Sequence, residues 1–336
     1  MRIVLDLQPC QGPNRHRGAG RYSLCLAQAI ARKAAGRHDV KITLSAAFPD
    51  TVSAVRQSFT GLLKRDDFAC FHVPGPLAEN DPANAWRSRA AELMREHFLM
   101  ELGPDVVHAF SLFEGWSDDS TTSVGALPKT YPASVTVHDL VPFLHQDKHL
   151  ANESRRSHYY RKLQSLKNAD LLLTTSESAR KKAISALGIS QDLLITVYPS
   201  VDPIFAVRSL SRDREASLRS SYGITRPFIL NVGGLDPRKN PKALVHAYER
   251  LPGRLRQAYQ LVVVGDFSPH AARELLLLSK RSGLSDRDLV MTGGVTDEDL
   301  AALYNCCEIF VFPSLQEDFP SPVLEAMACG AAVIGS

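Results

Sequence analysis

Two glutamates stand eight positions apart near the end of the chain, in Pro313-Ser314-Leu315-Gln316-Glu317-Asp318-Phe319-Pro320-Ser321-Pro322-Val323-Leu324-Glu325. The apolar run Ile309 to Phe312, closed by Pro313, reads as a buried strand. Ser321 and Pro322 predict a helix start, serine as the cap and proline at the first helical position. Cys329-Gly330 predicts its stop. Glu317 then falls in the loop, and Glu325 one turn into the helix. A helix N-terminus suits an anion such as a diphosphate. A carboxylate beside it makes sense when it grips something else, such as sugar hydroxyls.

A complementary set precedes it. The strand-like Phe228–Val232 runs into Gly233-Gly234-Leu235-Asp236-Pro237-Arg238-Lys239-Asn240-Pro241. Asn240 can cap and Pro241 can start a helix to about Leu251. Adjacent Arg238 and Lys239 are ordinary in a solvated turn. At a strand-to-helix crossover, however, an anion would already feel the helix N-terminus. Two cations there could hold a leaving diphosphate without a metal.

The first half offers Val135-Thr136-Val137-His138-Asp139, a β-branched strand ending in a histidine and a carboxylate. Strand ends of this kind form the functional edge of an α/β sheet; a core histidine beside a capping aspartate is the competing reading. Gly18 and Gly20, in the loop after the first strand, let the backbone approach a phosphate or an acceptor sugar, or simply make a turn. They resemble a dinucleotide fingerprint only weakly, since they stand about ten residues past the strand and lack the third glycine. Asp286-Arg287-Asp288 has a D-x-D spacing used by some metal-dependent sugar transferases, but reads better as a solvated turn.

The elements that must position these residues follow from periodicity. Strands are predicted at 3–7, 40–46, near 68–73, and at 106–110, 134–137, 170–175 and 194–198. Helices at 21–31, 85–102, 152–168 and from the Ser176 cap to Leu187 alternate with them. Further strands at 228–232, 261–265, 289–294 and 309–312 repeat the alternation, with Thr296 and Asp299 as a capping box between the last two. This predicts two doubly wound α/β domains, 1–205 and 223–336, facing across a cleft and joined by a Pro-, Ser- and Arg-rich region at 206–222. The polar segment 115–132 reads as a surface loop. The basic, tyrosine-containing helix at 152–168 reads as a solvated face or as a surface for an acceptor or anionic lipid. The closing strand, 331–336, has no helix after it, so the second domain reads as truncated and the chain as part of a longer protein.

Composition sets the remaining bounds. With 44% hydrophobic and 22% charged residues the chain is an ordinary globular one, and a net charge of +3 gives no argument for nucleic acid. The six cysteines form no C-x-x-C pair and no metal spacing, as in a cytosolic protein with reduced thiols. The start turns to charge too early for a signal peptide. No apolar run reaches the roughly 20 residues of a membrane span, so any membrane contact is peripheral.

Taken together, these motifs resemble the retaining GT-B-fold glycosyltransferases of family 4, especially the bacterial enzymes that build O-antigen and other polysaccharides, many of them mannosyltransferases. Glu317 and Glu325 match the family's E-x7-E motif, and Glu325-Ala-Met-Ala-Cys-Gly330 its continuation. Phe310-Val-Phe-Pro-Ser314, Arg238-Lys239-Asn240, Gly18-Ala-Gly20-Arg-Tyr22 and Val137-His138-Asp139 match as well. The resemblance implies an N-terminal acceptor domain and a C-terminal donor domain. It implies His138 and Glu317 as catalytic residues, Arg238 and Lys239 on the donor diphosphate, Glu325 on the ribose, and Gly18 and Gly20 toward the phosphate or acceptor. The donor would be a GDP- or UDP-linked sugar, with GDP-mannose foremost. The acceptor would be a saccharide or lipid-linked saccharide at the inner face of the cytoplasmic membrane. No cofactor or metal is expected, and attack would occur from the front face with retention. The alternative is a non-catalytic module of a larger polysaccharide-synthesising protein. Two departures stand out: Gly234 replaces an arginine common in relatives, and Asp318 and Pro320 replace the glycines of their E-G-F-G segment.

Overall fold

The computed structural model describes every residue except Asn14, Arg17, Asp139, Asp236, Gln316, Asp318 and Phe319, and the side chain of Pro237. The chain forms two compact units, Met1–Ser200 and Val201–Ser336.

The first unit carries β1 (Arg2–Asp6), β2 (Asp39–Ser45), β3 (Phe68–Phe71), β4 (Val106–Ala109), β5 (Ala133–Val137), β6 (Leu171–Thr174) and β7 (Leu194–Thr196). They pair in parallel in the order β3-β2-β1-β4-β5-β6-β7. β5 is buried along its whole length, as expected of a parallel strand covered on both faces. The chain winds outward from β1 to β3 and then returns to β4. The loops leaving β1 and β4 therefore diverge and leave a crevice at the switch point.

Helix Ala85–Glu101 packs in an unusual way. Glu92, Arg95 and Glu96 face inward, while Trp86, Leu93 and Met94 are exposed. Buried ions persist only when paired, and these are. Arg95 Nε donates to Asp6 at 2.9 Å. Glu96 accepts from the Ser123 hydroxyl at 2.6 Å and from the amides of Ala126 and Leu127 at 3.1 and 2.7 Å. Glu92 pairs with Lys162 at 2.7 Å and also with Arg161. These ties draw Ser120–Ser123 inside, which corrects the expectation of a surface loop over 115–132 for that part, while residues 125–130 stay mostly exposed. The polar run is stable there because its partners come from distant elements.

The same ties split the basic helix, which spans Glu153–Lys167 and is capped by Asn152. His158, Tyr159 and Lys162 are buried, and Arg161 is tied to Glu79 and Glu92. The outward cations are Arg155, Arg156 and Lys167. Burial alone would raise the Glu79 carboxyl. Hydrogen bonds from His158 and Ser88, with the charges of His158 and Arg161, outweigh it and bring the carboxyl to about 2.

The second unit carries β8 (Phe228–Val232), β9 (Gln260–Val264), β10 (Leu289–Gly293), β11 (Ile309–Phe312) and β12 (Val333–Gly335). They are parallel in the order β10-β9-β8-β11-β12, with the switch point between β8 and β11. Within the 206–222 stretch a helix, Arg212–Tyr222, buries Leu218 in this unit's core, and the Tyr222 hydroxyl reaches Asp299 at 2.6 Å. Thr296 caps the helix Asp297–Cys306, but Asp299 turns its carboxylate to Arg214 and Tyr222 instead of closing a box. Asp288 accepts from Ser285 and Arg226, so its carboxylate in the D-x-D segment holds a turn together.

Candidate active site

At the second sheet's switch point, β8 gives way to Gly233 and Gly234, with φ of 147° and 76°. The backbone is crowded here: a Cβ on Gly265 would lie 2.6 Å from the Gly234 nitrogen. Gly234 has a conformation that side chains rarely adopt. A short 3-10 turn, Pro237–Lys239, follows. Asn240 then sits at φ 55°, without a side-chain capping bond, before the helix Pro241–Glu249. Its contribution is to tolerate left-handed backbone, and not the side-chain cap that the sequence suggests.

From the neighbouring β11 the chain passes Pro313 to Ser314. The Ser314 hydroxyl lies 3.1 Å from the Arg238 carbonyl and 2.9 Å from a Glu317 carboxylate oxygen. The Leu315 amide donates to the same carbonyl at 2.8 Å. Lys239 forms an ion pair with Glu317, and its ammonium sits 5.1 Å above the Phe312 ring. Arg238, Lys239 and Glu317, separated by almost eighty residues in sequence, are thus joined where the two strand ends part.

Glu325 lies in the helix Ser321–Ala328, only 6% exposed. It accepts a hydrogen bond of 3.1 Å from the hydroxyl of Tyr304, which is fully buried on the preceding helix. The helix start differs from expectation: Pro320 holds the cap position and Ser321 is already helical, with no side-chain cap. Because Pro320 and Pro322 have no N–H, this first turn offers few donors. Arg238 and Lys239 are the cations on hand for an anion here. Ser314 and Tyr304 orient the two glutamates; the sequence marks Ser314 only as the end of a matching segment and Tyr304 not at all. Neither role is marked locally, because the partners are set by tertiary packing.

In the first unit, Gly18 and Gly20 are not in a loop. They form the first turn of the helix Gly18–Ala34. Glycine is a poor helix former, so the sequence places the start at Arg21. The reason for Gly20 is steric, since a Cβ there would lie 2.3 Å from the Arg15 carbonyl oxygen. Tyr22, on the next turn, meets the His138 ring edge-on at 5.4 Å and donates to the Val197 carbonyl at 3.2 Å.

His138 directly follows β5, and its Nε2 lies 2.8 Å from the Phe110 carbonyl. A carbonyl only accepts, so Nε2 carries the proton and Nδ1 presents a lone pair. Burial pushes the imidazole down to about 4, leaving it neutral near pH 7. His138 can therefore accept one hydrogen bond at Nδ1, as from a sugar hydroxyl, and is no general acid. His108, by contrast, is satisfied in the core by Ser134 at 2.8 Å and Thr136 at 3.0 Å. Asp139 and Asp318, both singled out from sequence, lie outside the described residues.

Residues 16–205 match the family described as Glycosyltransferase Family 4, and residues 215–336 the family described as Glycosyl transferases group 1. The chain is 37% identical over 337 residues to the serotype-specific mannosyltransferase WbdA of Escherichia coli, covering all of this chain and 40% of that protein. It is 27% identical over 342 residues to the O-antigen chain mannosyltransferase B of E. coli, covering all of this chain and 82% of that protein. The chain thus spans 40% of the length of this WbdA. Among solved structures, Anabaena Alr3699/HepE in complex with UDP and glucose superposes with a TM-score of 0.65 at 19% identity, over 100% of this chain and 80% of that one. That likeness is one of fold.

Proposed function

Because the chain belongs to the family 4 glycosyltransferases and its two parallel-sheet units are those of the GT-B fold, we propose that it transfers mannose from GDP-mannose to a saccharide or lipid-linked saccharide acceptor. Surface polysaccharide assembly at the inner face of the cytoplasmic membrane is the setting. The single observation that supports this most is the Lys239–Glu317 pair beside Arg238 at the second sheet's switch point. Switch points are where α/β sheets bind ligands, and this one holds charges of both signs in self-neutralised form.

On this reading, Lys239 exchanges Glu317 for the donor diphosphate, which Arg238 also binds. Glu317, released but still held by Ser314, then accepts from hydroxyls of the donor sugar. Glu325 takes the ribose hydroxyls, and His138 Nδ1 accepts from a sugar hydroxyl. Gly18 and Gly20 serve the phosphate or the acceptor through the helix turn they form. The acceptor hydroxyl attacks the anomeric carbon on the face from which the nucleotide departs. The bond from that carbon to the phosphate oxygen breaks, and the hydroxyl proton passes to the departing phosphate. Arg238 and Lys239 stabilise the charge that develops there, so neither metal nor cofactor enters the reading.

The test is nucleotide release from GDP-mannose and from UDP-sugars with an oligomannoside acceptor. Lys239→Ala and Glu317→Gln should each lower kcat by about 100-fold or more, as loss of a transition-state contact does. Full activity in both variants would remove the site assignment, and a clear preference for a UDP-sugar would remove the donor assignment.

A further inference from the structure

At the second sheet's switch point Lys239 is held in three ways. Its ammonium pairs with Glu317. Its stem crosses Gly233, where a Cβ would stand 3.6 and 3.7 Å from the lysine Cδ and Cε. Its ammonium also lies over the face of the Phe312 ring, 5.1 Å from the ring centre. The lysine belongs to the turn after β8, and the phenylalanine is the last residue of β11. This last contact therefore spans the two strand ends that part there.

The contacts differ in what they leave available. A carboxylate neutralises the ammonium and occupies its donors, and on the donor reading Glu317 lets go when the diphosphate arrives. A lysine stem is long and flexible, and an ammonium without a partner moves out to water. An aromatic face attracts a cation through its quadrupole and cancels no charge. Over Phe312 the ammonium keeps its full charge, with its outward N–H groups free to donate to a phosphate. The ring is itself fixed. It is 5% exposed in the core of the second unit and stacks on the fully buried Phe310 at 6.1 Å, with 30° between the planes. An aliphatic side chain would fill this part of the core as well, yet it would give the ammonium no attraction.

We infer that Phe312 is a positioning residue for the donor: its ring face, with Gly233 beneath the stem, keeps the Lys239 ammonium at the diphosphate position after Glu317 has turned to the sugar. This role rests on the donor reading of the site, and it lets one lysine serve two partners in turn. It also gives Gly233 a second reason to be glycine. At φ 147° its backbone is already in a conformation that side chains rarely adopt, and a side chain reaching past Cβ would push the lysine stem off its path. A cation–π contact changes an affinity by about twofold to fivefold when exposed and by about thirtyfold when desolvated. The side chain of Lys239 is 22% exposed, so an effect of about threefold to tenfold is expected.

Two measurements on this chain test the role. In protein labelled with carbon-enriched lysine, the ring current should shift the Lys239 Cε protons upfield, the signal being assigned by its loss in Lys239→Arg. That shift should persist in Glu317→Gln and vanish in Phe312→Leu. An unshifted signal in wild type, or a shift that disappears with the glutamate charge, would overturn the proposal. The second measurement is GDP affinity by calorimetry, with Phe312 replaced by mono-, di- and trifluorinated phenylalanine. Fluorination weakens the ring quadrupole at nearly constant shape. Affinity should fall stepwise, by about threefold to tenfold at the trifluorinated ring, with the melting temperature unchanged and the same series flat in Lys239→Ala. A flat series in protein that keeps Lys239 and binds GDP would overturn the role and leave the donor site standing. A wild type that shows the shift but binds neither GDP nor UDP would refute the donor reading itself, and the role of Phe312 with it.

Discussion

Replacing Tyr304 with phenylalanine deletes one oxygen and keeps the ring, which packs edge-on against Phe205 and Phe310 at 6.0 and 5.4 Å. The lost atom donates to Glu325 Oε2 at 3.1 Å, where the tyrosine is fully buried and the glutamate 6% exposed. Hydrogen bonds to charged groups contribute about 1.5–3 kcal/mol. The length of this one is above the usual range for a charge-assisted O–H···O bond, so the lower end, about 1.5 kcal/mol, is expected. For a unit of this size that corresponds to a fall in melting temperature of about 3–6 °C. If Glu325 also grips the ribose, the variant should bind GDP several-fold to about tenfold more weakly, a tenfold loss being about 1.4 kcal/mol. Calorimetric melting and GDP titration measure both. A double-mutant cycle with Glu325→Gln isolates the pair. Energies additive within about 0.5 kcal/mol, with GDP affinity unchanged in Tyr304→Phe, would refute the claim that Tyr304 positions Glu325.

Two buried histidines of the first unit should each cost stability in acid, against an opposing gain from Glu114, whose carboxyl burial raises to about 7. Burial lowers His108 and His138 to about 3 and 4 from an ordinary value of 6.5. The unfolded chain therefore takes up protons that the native state refuses. The stability present above pH 6.5 is lost as pH falls toward those values. Between pH 7 and 5 the loss should be about 2 kcal/mol for His108 and less for the more exposed His138. An NMR titration in which either imidazole protonates near pH 6.5 would contradict it. Gly20→Ala should lower stability by about 1–3 kcal/mol, because its Cβ must displace the Arg15 backbone, whereas Gly18→Ala, with nothing within 4 Å, should not. Equal melting temperatures for the two variants would show that Gly20 is not packed as described.

Much of this chain is legible from its sequence. Apolar runs such as Ile309–Phe312 and Phe228–Val232 could only be buried parallel strands, and their alternation with helices required two doubly wound units. The spacing of Glu317 and Glu325 about a predicted helix start, with Arg238-Lys239 at an earlier crossover, marks the candidate site in the sequence itself. These features are local, since apolar burial, caps and glycine turns leave their mark within a few residues. The tertiary structure alone decided the polar partnerships. It joined Lys239 to Glu317 and Tyr304 to Glu325, and turned the charged face of Ala85–Glu101 inward to meet Asp6, Ser123 and Lys162. It also buried Ser120–Ser123. Periodicity reports which residues avoid water. Where a charged or hydroxylated side chain finds its partner depends on which strand ends the winding brings side by side, and that is settled only when the sheet closes.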